Sequence, residues 1–182
     1  MNILTTHASG IHVLPSPTKL NGHGTATPII VQQMLHFMQK MFEFIIVDGG
    51  QSLYESSLKI FEMSDTVLLI SILSLPCLSN TNKLLKSFND LGIFETDTIK
   101  IVINRYIKNS EITIRDAKDA IKKDILSTIP NDYRSTISAI NQGKSLSQIA
   151  PKAAVTESFG HLAELLSKGE VQQKKGSMRF FG

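Results

Sequence analysis

Two textures alternate along the chain. Ile11–Leu14, Phe44–Val47, Thr66–Leu73, Ile99–Ile103 and Ile125–Ile129 are short runs rich in Ile, Val and Leu with no polar alternation. Continuous apolar runs of that length predict strands buried on both faces, as in parallel sheets. Helical patterns lie between them. Thr27-Pro28 reads as an N-cap and first-turn proline, followed by Val31, Met34, Leu35 and Met38 at helical spacing. Further helices are predicted over Leu53–Met63, Leu78–Leu91, Ile112–Ile121, Tyr133–Asn141 and Thr156–Leu166. The last carries Phe159, Leu162, Leu165 and Leu166 on one stripe, and Lys168-Gly169 closes it. Residues 15–27 read as a surface loop and residues 170–182 as a disordered tail. Strand–helix alternation over residues 1–167 predicts an α/β domain, doubly wound around a mainly parallel sheet.

Composition fits that domain. With 42% hydrophobic and 19% charged residues over 182 positions, it excludes disorder, collagen-like repeats and a coiled coil as the main state. The one cysteine, Cys77, excludes an internal disulfide framework and favours a reducing, cytoplasmic setting. No apolar run approaches the roughly 18 residues of a spanning helix.

The net charge of +3 is more telling in its location than in its size. Lys168, Lys174, Lys175 and Arg179 against Glu170 account for all of it, so residues 1–167 are formally neutral. A neutral body is not a nucleic-acid-binding domain by charge, and no nucleic-acid partner is expected. The basic tail also holds Met178, Phe180 and Phe181. A solvated tail is the expected reading; weak attachment to an anionic membrane surface or an acidic partner is its rival.

In doubly wound folds ligands bind at the carboxyl ends of strands. Phe44-Ile45-Ile46-Val47-Asp48-Gly49-Gly50 ends an apolar run in a carboxylate and two glycines, the form of a Walker B strand whose aspartate holds magnesium near phosphates. An aspartate that merely opens a strand-to-helix turn gives the same letters. The only G-K-[ST] string, Gly143-Lys144-Ser145, has Ser138 where a phosphate loop needs its first glycine, and it follows a helix. It reads as a helix end capped by Gly143. Asn104 and Arg105 end the run Ile101–Ile103; an amide matches an adenine edge and a guanidinium stacks on the ring. Pro130, Asn131 and Asp132 follow the next run and would border the same base. A helix-capping Asn and an ordinary strand-to-helix turn are the alternatives. Cys77 reads as a packed helix-start residue, and the five histidines show no metal-ligand spacing.

Taken in order, these pieces resemble the MinD/ParA family of deviant-Walker P-loop ATPases, and within it the CpaE/TadZ branch of Flp-type (tight adherence) pilus assembly. The carrying residues are FEFIIVDGG with its core at 44–50, DTVLLISILSLPCLSNTNKLL at 65–85, KIVINRY at 100–106 and IPNDYRSTISAINQGKSLSQIAPKAAV at 129–155. The likeness covers about residues 10–167 and is similar to the latter two thirds of the family's ATPase domain. It implies Asp48 as the Walker B aspartate near magnesium, Asn104 and Arg105 as the adenine-side strand end, and Pro130 to Asp132 as the second adenine-bordering loop. Ser74 to Lys83 matches a region near the dimer interface. The cofactors implied are ATP and magnesium. The partners implied are a second copy in an ATP-driven dimer and pilus secretion machinery, at a cytoplasmic site that is polar or peripheral to the inner membrane. The family's K-G-G-x-G-K-[ST] loop and its strand precede the matched region and are not in these 182 residues. This chain alone is therefore not expected to bind ATP competently, and unpaired strand edges are expected in its place. A piece of a longer ATPase, a non-catalytic scaffold and a flagellar or division-site MinD relative stay open.

Overall fold

An apolar run buried on both faces needs partners above, below and beside it, and three of the five expected strands find them. The computed structural model describes residues 4–15, 26–50, 54–92 and 97–177. They fall into two units, Met1–Met63 and Ser64–Gly182.

In the first unit β1 (Thr5–Thr6) and β2 (His12–Val13) form an antiparallel ribbon, Thr5 opposite Val13 and Thr6 opposite His12. The turn closes through His7 N–H to the Ile11 carbonyl at 2.8 Å, and Gly10 takes φ +88°, a conformation other residues resist. Ile11–Leu14, expected as a buried parallel strand, is thus a short exposed one of the other sense. Helix α1 (Pro28–Gln39) starts as expected: Thr27 caps it, its side chain accepting from Ile30 N–H, and Val31 and Leu35 are buried. It packs against α2 (Glu55–Glu62). The remaining expected strand, Phe44–Val47, does not form. The run is apolar, but among the described residues nothing hydrogen-bonds along it, and Ile46 is 96% exposed. Hydrophobicity states what a segment would bury; only a partner strand supplies the ladder.

The second unit carries the parallel sheet: β3 (Val67–Ser71), α3 (Leu75–Leu91), β4 (Ile99–Tyr106), α4 (Ile114–Ile121), β5 (Ile125–Pro130), α5 (Tyr133–Gln142), α6 (Leu146–Ile149) and α7 (Ala154–Ser177). The strand order is β3-β4-β5, with Leu69 opposite Ile101, Ser71 opposite Ile103 and Ile103 opposite Thr128. Ile101 and Ile103 are 0% exposed and Val102 between them 1%. Alternation sends them to opposite faces, so both faces are covered, as the unbroken apolar pattern required. Val102 packs with Ile129 of β5 and with Val155 and Leu162 of α7. β3 is an outer strand, and its Ile70 is exposed.

Helix ends follow local chemistry. Ser74 caps α3, and Gly143 at φ +60° ends α5 as expected. Helix α7 overruns its expected end at Lys168-Gly169 and continues to Ser177, into the stretch from residue 170 expected as a disordered tail. A helical glycine costs only about 1 kcal/mol against alanine, and the surrounding Glu, Gln and Lys are good helix formers. Leu53, most of the 15–27 loop and Met178–Gly182 lie outside the described residues.

Thr113 and Asp116 form a reciprocal cap on α4. Thr113 Oγ1 accepts from Asp116 N–H at 3.2 Å, while Asp116 Oδ2 accepts from the Thr113 hydroxyl at 2.7 Å and its N–H at 2.8 Å. These bonds, the hydroxyl's first, hold the Asp116 carboxyl below its ordinary value. A lowered folded-state value means the stabilisation is present above the ordinary carboxylate range and is lost as pH falls through the lowered one. Thr113→Ala is expected to destabilise by about 1 kcal/mol at neutral pH. It is also expected to lose less further stability on acidification than the parent does. Thermal melts of both across the acid range check the pair of effects.

Candidate functional site

Parallel strands put all their carboxyl ends on one side of the sheet, and the second unit gathers three tips there. β3 ends at Ser71, which is buried; the Thr81 hydroxyl lies 3.0 Å from Ser71 Oγ and donates to the Cys77 carbonyl at 2.8 Å. Cys77 sits in the first turn of α3, half-buried, where its N–H meets Ser74 Oγ at 3.4 Å.

The tips of β4 and β5 are joined directly. Asn131 N–H donates to the Tyr106 carbonyl at 2.9 Å, and Tyr106 stands opposite Pro130. Asn104, Arg105, Pro130, Asn131 and Asp132 are thereby brought to one end of the sheet. Tyr106 is the residue the sequence reading gave no role: its carbonyl pins one tip to the other, and a main-chain contact leaves no trace in side-chain type.

Arg105 turns the chain. Its φ is +50°, the left-handed region that a non-glycine residue enters at roughly 1–2 kcal/mol. Asn104 Oδ1 accepts the Arg105 N–H at 2.8 Å and holds that turn. The amide's acceptor is thus used locally, while its NH2 is left to donate; the Arg105 side chain is exposed. Asp132 has a structural task as well. It caps α5, Oδ1 accepting from Ser135 N–H at 3.0 Å, and that backbone bond pulls its carboxyl below the ordinary value. Arg105→Gly is expected to leave stability within about 1 kcal/mol, since relief of the left-handed turn and glycine's extra chain entropy oppose each other. A thermal melt decides this: a loss of several kcal/mol would give the guanidinium a packing role instead.

Asp48 belongs to the first unit. It is exposed, at the end of a segment that is not a strand, and its Oδ1 accepts from Gly50 N–H at 3.1 Å with Gly50 at φ +63°. That is an Asx turn, the bland alternative for this aspartate, and it leaves the second carboxylate oxygen available. A Cβ on Gly49 would stand 3.4 Å from the Phe61 ring, so a residue with a side chain is tight there.

Tested against Mg-ATP, these residues fit in part. Asn104, Arg105 and the Pro130–Asp132 turn supply donors, acceptors and a flat cation suited to a base. The phosphate side is not met: the sequence has no glycine-rich loop, and no group of three His, Cys, Asp or Glu side chains able to hold a metal occurs among the described residues. No helix among them is long and apolar enough to cross a membrane.

No protein-family model and no curated protein matches the chain. Solved structures do. It is similar to the ParA family ATPase of Chlorobium tepidum TLS, with a TM-score of 0.78 and 25% identity over 85% of this chain and 64% of that one. It is similar to the cell division ATPase MinD of Pyrococcus furiosus, with a TM-score of 0.71 and 23% identity over 87% and 66%. The septum site-determining protein MinD of Pyrococcus horikoshii OT3, complexed with Mg-ADP, gives a TM-score of 0.75 and 20% identity over 91% and 68%. This chain thus spans 64% to 68% of the length of these structures. Its fold is that of the ParA/MinD P-loop NTPases.

Proposed function

We propose that the chain is the nucleotide-base half of a MinD-type ATPase module, and that its role lies in pilus assembly or the polar positioning of that machinery. The observation that carries the first part is the junction of the β4 and β5 tips, where Asn104, Arg105 and Pro130–Asp132 converge at the carboxyl end of a parallel sheet. The pilus part rests on the long match of residues 129–155 to the CpaE/TadZ pattern. In the complete module a phosphate loop and Asp48 would hold Mg-ATP, and binding would bring two copies together, with Ser74 to Lys83 near their interface. ATP and magnesium are cofactors of that complete module. The basic residues from Lys168 onward would be solvated, with weak contact to the inner membrane or an acidic partner as the rival reading.

A second reading has its own support. Two of the similar structures are named as MinD, and a further similar structure is a MinC:MinD cell division protein complex of Aquifex aeolicus, which favours a division-site positioning relative over the pilus branch; a flagellar relative is the other member of this reading. The DNA upstream of Met1 separates the ATPase from a scaffold: an in-frame K-G-G-x-G-K-T favours the former, a stop codon beside pilus genes the latter. Nucleotide titration of the chain, with and without such a segment, is the decisive experiment.

A further inference from the structure

Formal neutrality of residues 1–167 conceals a local excess of positive charge. Where β4 and β5 begin, at the end of the sheet away from the candidate tips, a concavity of about 510 Å³ is lined by Lys100, Lys118, Lys122 and Lys123 with Asp97 and Asp124. Lys118 Nζ bonds Asp124 Oδ1 at 2.9 Å, so one of the two carboxylates is already engaged. Among the described residues Lys100 and Lys122 form no ion pair. Lys122 is fixed as the cap of α4 at φ +60°.

Lys118 also lines a second concavity, of about 380 Å³, that follows Ile125–Thr128 of β5 between Ile114 of α4 and Ser158 and His161 of α7. Among the described residues β5 is hydrogen-bonded to β4 alone, so its other edge faces this groove with unpaired main-chain groups. We propose that the joined surface takes an extended acidic segment of a partner polypeptide, laid along β5 as an added strand with its carboxylates on Lys100, Lys118 and Lys122.

Three observations favour a polypeptide over a compact phosphate or a lipid surface. Lys100 on β4, Lys118 within α4 and Lys122 at its cap act as spaced point charges, which suits carboxylates spaced along a chain. The carboxyl end of α4 carries partial negative charge beside Lys122, which disfavours a small, densely charged anion. The groove beside β5 offers main-chain partners that an extended peptide uses and a flat membrane does not. The proposal does not depend on nucleotide binding.

Fluorescence anisotropy of the full chain with a labelled peptide of alternating Val and Glu tests it, alternating Val and Gln serving as control. Tighter binding of the Glu peptide is expected, weakening with salt. Lys100→Gln/Lys122→Gln is expected to weaken it about fivefold, the modest effect of losing two solvent-accessible charges. Lys86→Gln/Lys108→Gln, the same charge change on α3 and just beyond β4, is expected to leave it unchanged, and the peptide is expected to shift the backbone amide resonances of Ile125–Thr128. Equal binding of the two peptides, no binding at millimolar concentration, equal weakening by both double variants, or shifts that spare β5 would each overturn the proposal. So would binding of tripolyphosphate or phosphatidylglycerol vesicles through Lys100 and Lys122 without binding of the Glu peptide.

Discussion

Titrated with Mg-ATP, the 182-residue chain is expected to show no dissociation constant in the low micromolar range. Most of the charge on ATP lies on its phosphates, and P-loop proteins meet it with backbone amides and the loop's lysine. In the proposed reading Asn104, Arg105 and Pro130–Asp132 would address only the base, from strand tips that are partly open to solvent. A charge-assisted hydrogen bond is worth about 1.5–3 kcal/mol, so several of them amount to a thousandfold or more in affinity at about 1.4 kcal/mol per tenfold. An in-frame segment carrying K-G-G-x-G-K-T is therefore expected to tighten binding by at least about that factor. In the extended protein Asp48→Asn is expected to lower hydrolysis far more than melting temperature. The asparagine oxygen can still accept from Gly50 N–H, so the turn survives while the charge at the proposed magnesium position is lost. A low micromolar constant for the chain alone would overturn the first expectation. Parallel loss of activity and stability would make Asp48 a turn-former.

Ile103→Ala is expected to be the most damaging single truncation in the second unit, at about 3–4 kcal/mol. Ile103 is 0% exposed, on the central strand, between Ser71 and Thr128 of its neighbours. Removing its outer atoms leaves a void that the flanking strands, each hydrogen-bonded to β4 on its own side, can close only in part. The melting temperature should drop by about 10 °C, at roughly 2–4 °C per kcal/mol for a chain of this size. Ile140→Ala, at an exposed position of α5, should stay within about 0.5 kcal/mol and serves as the control. Similar losses at both positions would mean that the sheet centre is not the core.

The sequence was most legible where burial is two-sided. Ile99–Tyr106 is the strand that such a run predicts, covered on both faces, and Val67–Ser71 and Ile125–Pro130 pair with it on either side as half-buried strands. Phe44–Val47 has the same composition and no ladder, since pairing is a property of two segments and the pattern describes one. The Asn104–Arg105 turn was half visible: the residue types suggested a strand end, but no glycine announced the positive φ, and the Asn104 side chain that supports it is an ordinary letter. Asp132 looked like a base-bordering carboxylate and is first of all a helix cap. The lysine concavity escaped notice altogether, because its members are spread from Lys100 to Lys123 and balanced in any linear count by acids elsewhere.

Strand order in the second unit equals chain order, β3-β4-β5, each joined to the next through one helix. Every ladder therefore closes over a short stretch of chain, and the loop entropy to be overcome before pairing begins is small. Such a sheet can be extended strand by strand as the polypeptide leaves the ribosome, with β3–β4 already paired while α5 is still being made. Vectorial assembly of residues 64–177, strand after strand in chain order, follows from the topology itself.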